Sequence, residues 1–158
     1  MEEKYRAYLT YLDDLRAGLE GLTALAREKA AAVAADDLMA LNEVMKREQV
    51  LSLSFRGMEQ TRERLQKELG LEKSRLSQIP QLVPASMQEE ARKLAVALKI
   101  QYAEYQKQSA QARNALEKGI QEVESTIRAM GGTLEQEDPG YGGGAPQAPQ
   151  SMRTDFRA

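Results

Sequence analysis

Between residues 36 and 69 the chain carries a heptad stripe that an α-helix turns into one continuous face. Steps of three and four land on Leu41, Val44, Glu48, Leu51, Phe55, Met58, Arg62, Leu65 and Leu69; seven of the nine are apolar and no proline interrupts them. Asp36 and Asp37 mark the start, since carboxylates there can accept from the unpaired N–H groups of the first turn and favour its positive dipole end. Gly70 marks the stop. A helix of this length, about 50 Å, cannot bury its stripe alone and needs neighbours of similar length.

The first neighbour precedes it. Over residues 2–35 the same step gives Tyr5, Tyr8, Leu12, Leu15, Leu19, Leu22, Ala26, Lys29 and Val33, with only Lys29 breaking the stripe. Gly18 and Gly21 fall off this seam. We read them as surface glycines, with close approach of another helix as the alternative reading. Tyr5, Tyr8 and Tyr11 spread over more than one helical face and so pack an end of a bundle rather than stack on a base. Only Ala34, Ala35, Asp36 and Asp37 are available for a reversal, and short connections make antiparallel neighbours. One unbroken helix through the Ala-Ala pair is the alternative to this hairpin.

After Gly70, Pro80 and Pro84 punctuate a connection over residues 70–85 that crosses to a third helix. Ser86 and Glu89 have capping-box spacing, which opens that helix at residue 86 and carries it to 130. Its main stripe is Leu94, Leu98, Tyr102, Tyr105, Ala112, Leu116, Ile120, Val123, Ile127 and Met130; Val96, Ile100 and Ala103 form a second patch on the opposite side. Two apolar faces need two neighbours, and the hairpin is too short to cover the whole length. Gly131 and Gly132 end the helix. The expected fold is therefore all-α: an antiparallel bundle of three long helices, a coiled-coil-like hairpin (residues 2–35 and 37–69) plus a longer C-terminal helix (86–130). Residues 1–130 form the domain, and the Gly/Pro-rich residues 131–158 read as a disordered tail in which Tyr141 and Phe156 are the large apolar anchors of short linear motifs.

Composition narrows the function. With no cysteine and no histidine, disulfides, thiolate nucleophiles, zinc centres, Ser-His-Asp triads and imidazole-based metal sites cannot be built. Carboxylates could still hold Mg²⁺ or Ca²⁺, but neither an EF-hand nor a Gly-rich phosphate loop occurs. We expect no enzyme activity and no cofactor. Residues 1–130 carry 20 basic and 20 acidic side chains, mixed along each helix, which reads as solvated faces rather than a nucleic-acid-binding stripe. No run approaches the roughly 18 apolar residues of a membrane span, and no signal-peptide layout opens the chain. Cytoplasmic localisation is expected if the protein is bacterial.

The Leu-rich opening from Tyr8 to Leu22, the acidic Asp36-Asp37-Leu38 reversal leading to Leu41, the Leu51 to Leu69 continuation with Arg62 and Arg64, the long last helix and Tyr141 beside glycines together resemble the FlgN family of flagellar export chaperones. That resemblance implies capture, in the bacterial cytoplasm, of the C-terminal helical segments of hook-associated proteins of the FlgK and FlgL type, protection from premature assembly, and delivery to the type III export gate and ATPase complex. It makes Leu98, Tyr102, Tyr105, Leu116, Ile120, Val123 and Ile127 candidates for the client surface, although such a stripe equally well packs a protein's own core. Tyr141 and Phe156 become candidates for docking at the export machinery. The competing readings are a structural coiled-coil homodimer and a chaperone or adaptor of another type III system, because apolar seams serve intra- and intermolecular pairing alike.

Overall fold

The computed structural model describes residues 1–132. Four helices follow one another: α1 (Glu2–Ala34), α2 (Leu38–Leu69), the single-turn α3 (Ile79–Leu82) and α4 (Gln88–Ala129). Two 3₁₀ turns, Leu76–Gln78 and Ala85–Met87, flank α3. Among the described residues there is no strand, so the class is all-α. The helix count differs from the expected three because the connection after α2 winds into a turn of its own.

The two aspartates at the reversal divide their work. Asp36 adopts a left-handed conformation (φ 53°), and its N–H bonds to the Val33 carbonyl while that of Asp37 bonds to Ala32. This is a Schellman ending, with aspartate in the place glycine usually takes. Asp37 then caps α2, its carboxylate accepting from the Ala40 N–H at 3.0 Å. Only Asp37 therefore acts as the helix-start signal; Asp36 terminates α1, and the single unbroken helix does not form. Gly70 (φ 69°) and Gly131 (φ 79°) close α2 and α4 by the same motif, with the Leu71 N–H on Gln66 and the Gly132 N–H on Ile127.

Helix α1 lies between the other two long helices. It runs antiparallel to α2, as pairing of Tyr8 with Gln66, Gly18 with Phe55 and Lys29 with Glu48 requires. It runs parallel to α4, where Arg6 meets Glu90, Thr23 meets Gln101 and Arg27 meets Glu104. Helices α2 and α4 both pack along α1 and barely approach each other. The core accordingly centres on α1: Tyr8, Leu9, Tyr11, Leu12, Leu15, Leu19 and Leu22 are all buried, joined by Phe55 and Leu65 from α2 and by Leu98 and Tyr105 from α4. The three tyrosines do pack one end of the bundle, with the Tyr8 and Tyr11 ring centroids 5.8 Å apart.

The connection after α2 belongs to this core. Leu71, Leu76, Ile79, Val83 and Met87 are all buried, closing the end of the bundle where α2 stops and α4 starts. Pro80 fits at the second position of α3, where the missing N–H would have had no helical partner. Pro84 (ψ 149°) is the extended residue that precedes the second 3₁₀ turn. Winding thus begins at Ala85, so Ser86 already lies inside a turn and cannot act as the flanking cap. The expected capping box of Ser86 and Glu89 is absent: α4 begins at Gln88 without a side-chain cap, and Glu89 and Glu90 offset its dipole instead.

Gly18 and Gly21 are not idle surface positions. A Cβ at Gly18 would sit 2.9 Å from the ring of Phe55, and one at Gly21 3.3 Å from a Leu51 methyl. They are where the α1 backbone admits the bulk of α2. Two of the three breaks in the apolar stripes, Lys29 and Glu48, pair at 2.7 Å with Lys29 only 2% exposed; the third, Arg62, bonds to Glu59 and Gln66.

Two stability predictions follow from these contacts. Gly18→Ala should lower the thermal midpoint, because the buried Phe55 ring cannot retreat, whereas Gly57→Ala, with open space around it, should gain about 1 kcal/mol from helix propensity. Thermal melts followed by circular dichroism compare the two directly. Lys29→Ala should cost about 3 kcal/mol by leaving Glu48 without its cation, while Lys29→Met with Glu48→Leu should recover at least the original stability in urea titrations.

Candidate interaction surface

Helix α4 outlasts its neighbours. Its 42 residues span about 63 Å, against about 50 Å for the 33 residues of α1. Gly119 lies against Val33, one residue before α1 ends, so Ile120 to Ala129 project about 15 Å past the hairpin. A Cβ at Gly119 would make only ordinary contact with the Val33 methyl at 3.4 Å, so the crossing does not itself demand glycine.

The seven stripe residues on α4 divide by depth. Leu98 is fully buried and Tyr105 nearly so, and Tyr102 packs half-buried against the core. These three pack toward α1, and in the folded domain the apolar surface of Leu98 and Tyr105 is covered and that of Tyr102 partly so. Burial raises the Tyr105 hydroxyl above its ordinary range, partly offset by a hydrogen bond to Ser109. Farther along, Leu116 and Ile127 are half-buried, Ile120 is 42% exposed and Val123 58%. The structure therefore brings Leu116, Ile120, Val123 and Ile127 together as one stripe on and just before the overhang, and separates them from Leu98, Tyr102 and Tyr105. Tyr141 and Phe156 lie outside the described residues.

Other exposed apolar side chains were not among the client candidates drawn from the sequence. Leu38 (77% exposed) and Met39 (86%) stand at the hairpin tip, the same end of the molecule as the overhang, and Met130 (81%) extends the α4 stripe. Their signal was available: both Leu38 and Met39 follow the Asp37 cap but fall off the seam that starts at Leu41. On the outer side of α2, Val50 and Leu53 are also exposed, three residues apart. The second α4 patch, Val96, Ile100 and Ala103, has no neighbour among the described residues; Val96 is 52% and Ile100 65% exposed.

Several polar and charged groups along α1 are partnered across the bundle. Burial raises the Tyr8 hydroxyl, which accepts a hydrogen bond from Gln66 at 3.3 Å. Gln66 in turn accepts from Arg62, whose guanidinium is raised chiefly by its bonds to Glu59. On α4, Gln108 and Arg27 together hold the Glu104 carboxyl below its ordinary range. Among the described residues no three acidic side chains are grouped to hold a metal ion, and no helix is long and apolar enough to cross a membrane.

No curated protein and no solved structure gives a significant match to this sequence. A family model does: the one described as FlgN protein matches residues 1–147, which takes in the hairpin, the connection and all of α4. The chain belongs to the FlgN family.

Proposed function

We propose that this protein is a cytoplasmic flagellar export chaperone that captures the C-terminal helical segments of hook-associated proteins of the FlgK and FlgL type and delivers them to the type III export gate and ATPase complex. The observation that carries this reading is the α4 stripe of Leu116, Ile120, Val123 and Ile127, which continues past the end of α1 with its apolar side chains partly uncovered. An amphipathic client helix lays its own i, i+3, i+4, i+7 face along such a stripe. Leu38 and Met39 at the hairpin tip extend the apolar contact. Binding and release suffice for the role, and affinity comes from buried apolar area less the cost of ordering the client. In this reading residues 131–158, with Tyr141 and Phe156, form a tail that addresses the export machinery.

The same stripe supports a second reading, pairing with another copy of the chain in a coiled-coil homodimer. Size-exclusion chromatography with light scattering, on the protein alone and with the C-terminal helical segment of a hook-associated protein from the same organism, separates the two. A stoichiometric complex supports the chaperone; a tight dimer that ignores the segment replaces it with the scaffold.

Residue by residue, Ile120→Asp and Val123→Asp should each weaken client binding by about tenfold or more while changing stability by no more than about 0.5 kcal/mol. Isothermal titration and a urea melt measure both quantities, and unfolding by Val123→Asp would place the residue in the core. Removal of residues 131–158 should leave client affinity unchanged yet impair export; loss of affinity in the truncated protein would show that the tail is part of the client site.

A further inference from the structure

The side of α4 turned away from α1 carries a second heptad seam. Lys93, Val96, Ile100, Ala103, Lys107 and Ala110 follow steps of three and four, and all six are exposed. They run about 26 Å along the helix. Lys99 flanks the seam, also exposed. Lys93 and Lys99 make no ion pair among the described residues. Lys107 neighbours Glu104, but that carboxylate already accepts from Arg27 and Gln108. The seam is thus apolar at its centre and shallow at the two alanines, with Lys93 opening it and Lys107 one step from its end; Glu89, one step before Lys93, is already paired with Arg92. It lies opposite the face that holds Leu98 and Tyr105, and ends before the proposed client stripe begins.

We propose that this outer face of α4 docks an acidic amphipathic helix of another protein, at a site separate from and independent of the proposed client stripe. Charge selects the occupant. Lysines at seam positions bring ammonium groups into the contact layer, and covering them is tolerable only if the partner supplies carboxylates there. A second copy of the same six positions supplies no carboxylate: paired parallel it sets lysine against lysine, and paired antiparallel it sets Lys93 against Ala110 and Lys107 against Val96. A lipid surface is a poorer match: the seam offers two large aliphatic side chains and no aromatic ring, too little for a helix to lie buried at a bilayer interface. Ala103 and Ala110 allow the partner backbone to come close, so bulky apolar residues on the partner can seat between them.

The test uses the full-length chain and a fluorescently labelled synthetic helix of about three heptads, with leucine at its seam and glutamate at the flanking positions. A counterpart with lysine replacing glutamate is the charge control. By fluorescence anisotropy the acidic helix should bind saturably and weaken as salt is raised, and the basic one should not bind. Ile100→Asp, and separately Lys99→Glu with Lys107→Glu, should each reduce affinity about tenfold or more with unchanged circular dichroism. Val123→Asp, which disrupts the other stripe, should leave the acidic helix bound. The proposal is overturned if the acidic helix does not bind, if Ile100→Asp binds it normally, or if Val123→Asp abolishes binding. Capture of the chain by phosphatidylglycerol vesicles in preference to the peptide would assign the face to a membrane instead, and a dimer that dissociates in Ile100→Asp would assign it to a second copy.

Discussion

Burial of α1 on more than one side is the constraint on which the rest of the domain depends. Tyr8, Leu9, Tyr11 and Leu12 are all at or below 5% exposure, and residues so closely spaced on a helix point in directions that no single neighbour can cover. Two long partners are therefore required, one on each side, and the chain provides them as α2 and α4. Both pack chiefly on α1 rather than on each other. Each of these partners keeps an outer face that folding does not use.

The polar breaks in the stripes set the register of this arrangement. An apolar heptad seam can slide by one repeat at modest cost, because leucine fits against leucine in either alignment. Lys29 and Glu48 resist sliding: the buried ammonium of Lys29 is tolerable only opposite the half-buried Glu48 carboxylate, 2.7 Å away. At the far end of the hairpin the chain from Tyr8 through Gln66 and Arg62 to Glu59 does the same with hydrogen bonds. Between these two polar layers Gly18 admits Phe55, a shape match that exists in one alignment only. Residues that look like defects in a heptad reading thus fix which heptads meet.

How much of this was legible in the sequence depends on the range of the interaction involved. The long helices and their Gly70 and Gly131 endings are encoded in neighbouring residues, and periodicity and turn chemistry find them. Lys29 and Glu48 were each visible as anomalies, but nothing local says that they cancel. Gly18 was misjudged for the same reason, since its role is fixed by a phenylalanine 37 positions away. Ser86 misled in the opposite sense: its spacing to Glu89 was correct for a capping box, yet Pro84 started the winding too early for it to form. For the candidate surface, the sequence yields the whole α4 stripe but not the point where cover ends. That point depends on where α1 stops relative to Gly119, a tertiary fact.

The mismatch in length between α1 and α4 reconciles stable folding with an exposed apolar stripe. An isolated ten-residue helix would be marginal in water, because its nucleation cost exceeds what so few hydrogen bonds return. The overhang avoids this by continuing a helix already anchored at Leu98, Tyr105 and Ala112. Its backbone is consequently already helical in the folded domain, so in the proposed role the entropic cost of association would fall mainly on the incoming segment. Glu117, Lys118, Glu122, Glu124 and Arg128 interrupt the surface around Ile120 and Val123, which keeps the apolar patch narrow and limits non-specific association. A narrow stripe on a rigid helix favours a partner that matches its spacing over one that is merely hydrophobic. Selectivity of that kind requires no deep pocket, only that α4 keep its end free, which the shorter hairpin ensures.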